Sequence, residues 1–342
     1  VNLQEQLTNS LPVQRLEALL DSIRIATRAR LAAEESIQGL SPAAEVVGDG
    51  AGDVTYGIDL ESEEVVTRWF EECACEGPLS LFTEDLGWRH AGPGDGGWTE
   101  LADFDHGGPR IIIDPIDGTR PLLGDLRSAW TSIAVCPPGQ EEPRASDVTL
   151  GLLGELPHSM TESWRVIQAQ RGVGATLERR SFAPTSEAVG ASLVTDSDDR
   201  ADHGVFSFFR FSPHQRPQIA AVEADFFARI AAGEGADLMH CYDDQYVCNV
   251  GQLVHLALGS YRLIADLRAH LSGPNDAPVV TSKPYDLAAA ILVAREAGCV
   301  VTAPDGTPLD FPLDATTPVS FVGWANEPTA RRLAPHLEAA LS

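Results

Sequence analysis

Between residues 111 and 119 the chain reads Ile111-Ile112-Ile113-Asp114-Pro115-Ile116-Asp117-Gly118-Thr119, an apolar run that delivers two carboxylates and then a glycine. Arg110 to Ile113 is short, apolar and bounded by turn signals, so it reads as a buried strand. Pro115 stiffens the chain between the two acids. Gly118 permits a backbone conformation that other residues resist, and amides beyond such a turn can cradle an anion. Carboxylates delivered this way suit Mg²⁺, which takes few of them and fills its remaining positions with water and substrate phosphate. The competing structural reading is an Asp-capped turn leaving a strand.

Three other segments carry acids in comparable settings. Thr83-Glu84-Asp85 follows the apolar run Leu79 to Phe82, where two adjacent acids are either a metal ligand with a water-orienting base or a solvated corner. Lys283-Pro284-Tyr285-Asp286 opens a helix that Gly298 stops, with Ser282 and Pro284 as start signals. The helix dipole alone favours an acid at Asp286. Lys283, the one lysine of the chain, stands three residues before that acid. In Gly52-Asp53-Val54-Thr55-Tyr56-Gly57-Ile58-Asp59, alternation places Asp53, Thr55 and Gly57 on one face and Val54, Tyr56 and Ile58 on the other. Asp59 then reads as a cap for a helix over Glu61–Cys75. One rival chemistry is disfavoured by spacing. Phosphatases of the haloacid dehalogenase type separate their two strand-end aspartates by one residue, whereas Pro115 and Ile116 both stand between Asp114 and Asp117.

The rest of the chain sets the frame. Its 342 residues are ample for a large core, and no run of 18 apolar residues predicts a membrane span. The formal charge of −26 excludes nucleic acid as a partner. The opening Val1 to Ser10 lacks the basic start and apolar run of a secretory leader. The six cysteines have no zinc spacing and read as reduced thiols of a cytoplasmic protein. Helical spacing is expected over residues 11–35, Ile219 to Ala232, Val250 to Leu258 and Asp286 to Ala297. Strands are expected at Ser132 to Val135, Val148 to Leu153, Trp164 to Gln168, Tyr261 to Ala265 and Cys299 to Thr302. Gly48-Asp49-Gly50 and Pro304-Asp305-Gly306 mark turns. His90 to Pro109 reads as a surface loop or hairpin, and Asp196 to His203 as an acidic loop. The pattern predicts two packed α/β halves, residues 1–190 with the acidic motifs and 191–342 completing the site.

In order and spacing the four acidic segments resemble the inositol monophosphatase family, the lithium-sensitive, magnesium-dependent phosphatases that include fructose-1,6-bisphosphatase. The family motifs are matched by Asp53 to Asp59, Glu84-Asp85, Asp114 to Thr119, and Tyr285-Asp286 with Ala288 to Ala290. Gln170-Arg171-Gly172-Val173-Gly174-Ala175 is similar to the family's glycine-rich hairpin. The resemblance implies a layered αβαβα sandwich of the α/β (α+β) class, two or three Mg²⁺ ions, homodimers, and a small phosphorylated metabolite as substrate. It further implies that Glu84, Asp114 and the Ile116 carbonyl bind one ion, and that Asp114, Asp117 and Asp286 bind a second. Glu84 and Thr119 would activate water, Asp59 would accept from Thr119, and the amides of Gly118 and Thr119 would hold phosphate.

Departures from the family pattern bear on the substrate. Arg120-Pro121-Leu122-Leu123 follows the glycine turn where a short residue and Asn-Phe are usual, and Tyr285 replaces Trp. The stretch Ile264 to Arg268 is separated from Asp286 by an insertion. There Asp266 could hold a substrate hydroxyl and Arg268 a second anion, with fold-internal pairing as the alternative. Besides a phosphomonoesterase, a bisphosphatase acting on fructose bisphosphate or phosphoadenosine phosphate fits. The adenosine substrate would favour an aromatic and basic pocket near the active site. A non-catalytic relative that binds metal or ligand is the reading from another class.

Overall fold

A computed structural model describes residues 11–33, 46–49, 54–183, 187–273 and 279–342. The elements in chain order are α1 (Val13–Ala33), β1 (Val46–Asp49), β2 (Val54–Tyr56), α2 (Gly57–Ala74), β3 (Leu79–Thr83), β4 (Gly87–Gly94), β5 (Gly97–Glu100), β6 (Arg110–Asp117), α3 (Thr119–Leu123), β7 (Ala129–Cys136), β8 (Leu150–Leu156), β9 (Ser163–Gln170), β10 (Gly174–Ser181) and β11 (Val189–Leu193). There follow β12 (His203–Phe208), α4 (Arg216–Glu234), β13 (His240–Tyr242), α5 (Asn249–Ala257), β14 (Tyr261–Asp266), α6 (Pro284–Glu296), β15 (Val300–Thr302), β16 (Phe321–Trp324) and α7 (Glu327–Leu341).

Two sheets organise the chain. A nine-stranded sheet has the order β11-β10-β9-β8-β7-β6-β3-β4-β5, and a five-stranded sheet the order β13-β12-β14-β16-β15. Side chains alternate across a strand, and that alternation sorts the core into layers. Ile111 and Ile113 of β6 pack with Leu16, Leu19 and Ile23 of α1 and with Val66 and Phe70 of α2. Ile112 faces the other way, into α5 and α6, which also meet Ile264 of β14. On the far side of the second sheet, Leu263 and Ala265 pack with Phe226 of α4 and Leu333 of α7. The result is the expected five-layer αβαβα stack. Each fully buried aliphatic side chain in these layers contributes ~1.5–3 kcal/mol relative to exposure.

The structure moves several sequence expectations. Helix α2 starts at Gly57 rather than Glu61, so the alternation from Asp53 stops at Tyr56 and Asp59 lies inside the first helical turn. Asp53 and Gly50 lie outside the described residues. β6 runs four residues past Ile113, through both aspartates. His90 to Pro109 begins in the β4–β5 hairpin and becomes a loop only after Glu100. Strands β10, β11, β12 and β16 and helix α7 were not read from the sequence. The glycine-rich segment is the turn between β9 and β10, held by Glu296 of α6, whose carboxylate accepts from the amides of Gly172 and Gly174 at 2.8 and 2.9 Å. All six cysteines are free thiols. Among the described residues, no helix is long and apolar enough to cross a membrane.

Candidate active site

Strict alternation would send Asp114 and Asp117, three residues apart, to opposite faces of the sheet. The pairing of β6 with β7 prevents this. Ile112 pairs with Ala134 and Asp114 with Ser132, but Asp117 pairs with Trp130, so three residues of β6 are spanned by two of β7. This is a β-bulge at Pro115-Ile116, the kind of irregularity where a strand tolerates proline. It returns Asp117 to the face of Ile112 and Asp114, toward α5 and α6. The bulge is satisfied locally: Thr131 Oγ1 donates to the Pro115 carbonyl at 2.8 Å, and the Ile116 amide donates to Asp114 Oδ1 at 3.0 Å. Gly118 ends the strand at φ 95°. A Cβ on it would meet the Cys248 Cβ at 2.9 Å, so both its conformation and its surroundings exclude a side chain.

Glu84 reaches the same place by register. β3 pairs parallel to β6, with Phe82 opposite Ile112, which brings the residue two further on level with Asp114. The Tyr285 hydroxyl donates to the Glu84 side chain, and its ring stacks on Phe82 at 6.0 Å. Asp59 uses both carboxylate oxygens: Oδ2 accepts from the Tyr56 amide at 2.8 Å and Oδ1 from Thr119 Oγ1 at 3.2 Å. The cap role and the contact with Thr119 are thus met by one side chain. Thr119 Oγ1 also lies 3.0 Å from the Ile116 carbonyl, so its single proton has two acceptors.

Asp286 stands in the first turn of α6, where Oδ2 accepts from the Lys283 amide at 3.1 Å and from Asn249 Nδ2 at 2.9 Å. Lys283 turns its ammonium to the Thr316 carbonyl at 3.3 Å. The start of α5 holds the neighbouring acid, with the Val250 amide 2.5 Å and the Cys248 thiol 3.2 Å from Asp117 Oδ2. Asp59, Glu84, Asp114, Ile116, Asp117, Gly118, Thr119, Arg268 and Asp286 all line one cleft, joined by Glu63, Cys248 and Asn249. The last three were missed by sequence reasoning. Cys248 and Asn249 directly precede the helix expected at Val250, and a search of its cap positions would have found them.

Burial pushes Asp59 up to about 7 against the pull of the Tyr56 amide and the Thr119 hydroxyl. It pushes Asp114 and Asp286 well above the carboxylate range, with repulsion among Asp114, Asp117, Asp286 and Glu84 acting the same way. Asp117 is raised less, because the Val250 amide and the Cys248 thiol offset its burial. Among the described residues, no three His, Cys, Asp or Glu side chains stand as a closed ligand group. The bonds to α5 and α6 take Oδ2 of Asp117 and of Asp286, while Ile116 takes Oδ1 of Asp114. Each acid has a second oxygen that these bonds do not use. Mutually repelling carboxylates with hard oxygen donors on one wall fit a small divalent cation.

The structure corrects the reading of Asp266 as a substrate contact. Its carboxylate is 1% exposed and lies off the cleft wall. It accepts from Arg268 Nε at 2.9 Å, Arg268 Nη2 at 2.7 Å and Ser282 Oγ at 2.6 Å. The fold-internal pairing is therefore the one realised, because an acid at that depth needs a fixed cation. Arg268 does border the cleft, with four of its five N–H donors given to Asp266, the Val280 carbonyl and Ser282.

The model of the inositol monophosphatase family matches residues 90–338. A fructose-1,6-bisphosphatase/inositol-1-monophosphatase of Methanothermobacter thermautotrophicus is 24% identical over 292 residues, covering 84% of this chain and 85% of its own. Among solved structures, the fructose-1,6-bisphosphatase of Leishmania major in holo form superimposes with a TM-score of 0.65 at 11% identity, covering 96% of this chain and 92% of that one. The extragenic suppressor protein suhB of Bartonella henselae gives a TM-score of 0.56 at 17% identity, covering 96% and 98%. At these identities the structural likeness speaks for the fold.

Proposed function

The chain belongs to the inositol monophosphatase family and is a phosphoric monoester hydrolase, and on that premise we propose that it uses Mg²⁺ to hydrolyse a small phosphorylated metabolite by direct attack of water, with no covalent intermediate. The observation that carries the proposal is the pair of buried acids from β6 with the half-buried Asp286 of α6 in one cleft, beside the Asp59–Thr119 hydrogen bond. Glu84, Asp114 and the Ile116 carbonyl would hold one ion. Asp114, Asp117 and Asp286 would hold a second, and the family leaves room for a third. When bound, Mg²⁺ supplies charge stabilisation at the phosphoryl oxygens and acidifies water.

The remaining steps fall to the chain's own groups. Glu84 and Thr119 orient the attacking water, and Thr119 Oγ1 would take a proton from that water as it passes its own to Asp59 Oδ1. Burial prepares Asp59 for this by raising it to about 7, where a carboxylate accepts a proton near neutrality. The amides of Gly118 and Thr119 hold phosphate. Phosphoryl transfer asks little covalent chemistry of a protein, which agrees with a site built of charge and position. Release of inorganic phosphate from a panel of sugar, inositol and nucleotide phosphates, with Mg²⁺ and with EDTA, tests the reading. Equal release in EDTA, or none from any ester, overturns it. Homodimerisation is carried over from the family, and sedimentation checks it.

A bisphosphatase reading for phosphoadenosine phosphate gains support from other residues of the same cleft. There Phe209 and Phe211 stack at 6.1 Å with planes 11° apart. The Arg120 guanidinium lies over Tyr56 at 5.7 Å and over Phe211 at 5.4 Å. Aromatic and basic surroundings of this kind would favour an adenosine monophosphate leaving group. Turnover of inositol phosphate at a higher kcat/KM than phosphoadenosine phosphate removes this reading.

A further inference from the structure

One turn at the start of α5 touches two acids from different elements. The Val250 amide binds Asp117, which comes from β6, and the Asn249 side chain binds Asp286, which comes from α6. The Nδ2 end of the Asn249 amide donates to Asp286 Oδ2 at 2.9 Å. The other end, Oδ1, lies 2.8 Å from Ser282 Oγ. Ser282 is fully buried and also meets Asp266 Oδ2 at 2.6 Å and Arg268 Nη2 at 2.8 Å. A continuous chain of contacts therefore runs from the buried Asp266–Arg268 pair through Ser282 and Asn249 to Asp286.

We propose that Asn249 is a positioning residue for the metal centre, using Ser282 and the Asp266–Arg268 pair as its anchor to hold Asp286 at the orientation in which it ligates Mg²⁺. The inference rests on the magnesium reading above. Asn249 does not touch the reacting atoms in this account. It sets how much reorganisation Asp286 must undergo when metal enters. Groups that orient a metal ligand in this way are worth about 10–100-fold in affinity. Ser282 acts one step further out, so its removal has a smaller effect of the same kind.

The test uses the whole chain and Mn²⁺ as probe, without substrate. Binding is followed by the loss of free-ion paramagnetic resonance, and the Mg²⁺ dependence of phosphate release is measured alongside. Asn249→Ala should weaken Mn²⁺ binding by about tenfold and raise the half-saturating Mg²⁺ by a similar factor. Its kcat at saturating Mg²⁺ should fall by a smaller factor than the rise in half-saturating Mg²⁺. Ser282→Ala should shift both in the same direction by less, and it keeps the test decisive if Asn249→Ala does not fold. Unchanged Mn²⁺ affinity in a folded variant, or a fall in kcat with an unchanged Mg²⁺ requirement, overturns the inference. A wild-type chain that binds no Mn²⁺ and ignores Mg²⁺ overturns the magnesium reading, an outcome visible before any variant is made.

Discussion

Strands β6 and β14 each bring buried aspartates to the middle of the molecule, one from each sheet, and their fates differ. At β6 the bulge turns Asp114 and Asp117 to one face, where burial and mutual repulsion raise both. At β14, Asp266 is buried more deeply still, yet Arg268 two residues on clasps it through two nitrogens. Burying an acid is costly in both places. β14 meets that cost with a cation of its own chain, whereas the β6 acids are the ones proposed above to hold Mg²⁺. Burial alone therefore does not distinguish the two strands; a directly paired arginine does.

The largest expected effect breaks the β6 side. Asp114→Asn should reduce phosphate release in saturating Mg²⁺ by on the order of 10³-fold. It should also raise the melting temperature in EDTA, since it removes an acid whose ionisation burial and its neighbours oppose. Near-normal turnover refutes the assignment of Asp114, and a lower melting temperature refutes the repulsion argument.

Asp266→Ala probes the β14 side and should act on stability. Leaving Arg268 buried without its partner costs about 3–5 kcal/mol, measured as a shift of the denaturation midpoint. Replacing Asp266 and Arg268 together by apolar residues of similar volume should recover most of that loss. An unchanged midpoint with a raised KM would restore the substrate contact that the structure argues against.

A smaller effect concerns pH. His255 of α5 stacks on Tyr261, the first residue of β14, at 5.3 Å. Burial, with the charges of Arg165 and Arg127, pulls it down to about 4. The unfolded chain binds this proton near pH 6.5 and the folded chain does not until about pH 4. The contribution of His255 is therefore whole above pH 6.5 and lost as pH falls toward 4. Asp59 and Glu63, both raised by burial to about 7, act with the opposite sign, since their contribution is lost as pH rises through 7. The difference between wild type and His255→Phe isolates the histidine. That difference should grow by about 3 kcal/mol from pH 4 to 6.5, read from urea midpoints. A difference independent of pH would show that His255 is not held neutral.

How much of the site was legible depended on distance along the chain. The β6 segment declared itself because strand, proline, acids and glycine are contiguous, and the proline that looked like a stiffener turned out to sit in the bulge. Asp286 and Asp59 each had a sufficient local role as helix acids, and only the resemblance gave them a second one. Their meeting with Asp114 is a property of the stacked layers. Glu84 arrives through the parallel register of β3 on β6, which no local pattern encodes.

By itself the sequence determined the class of the protein, the layered alternation of its core, and the chemistry available at Asp114 to Thr119, because these depend on periodicity and on neighbours in the chain. Only the tertiary structure decided which acids remain available. The distinction between Asp114 and Asp266 lies in what surrounds each carboxylate. The bulge that aims Asp117, the turn of α5 that holds two acids, and the serine at the end of the 267–283 insertion that completes the Asp266–Arg268 pair are all contacts between distant segments. Their energies exist only once the layers close and water is excluded.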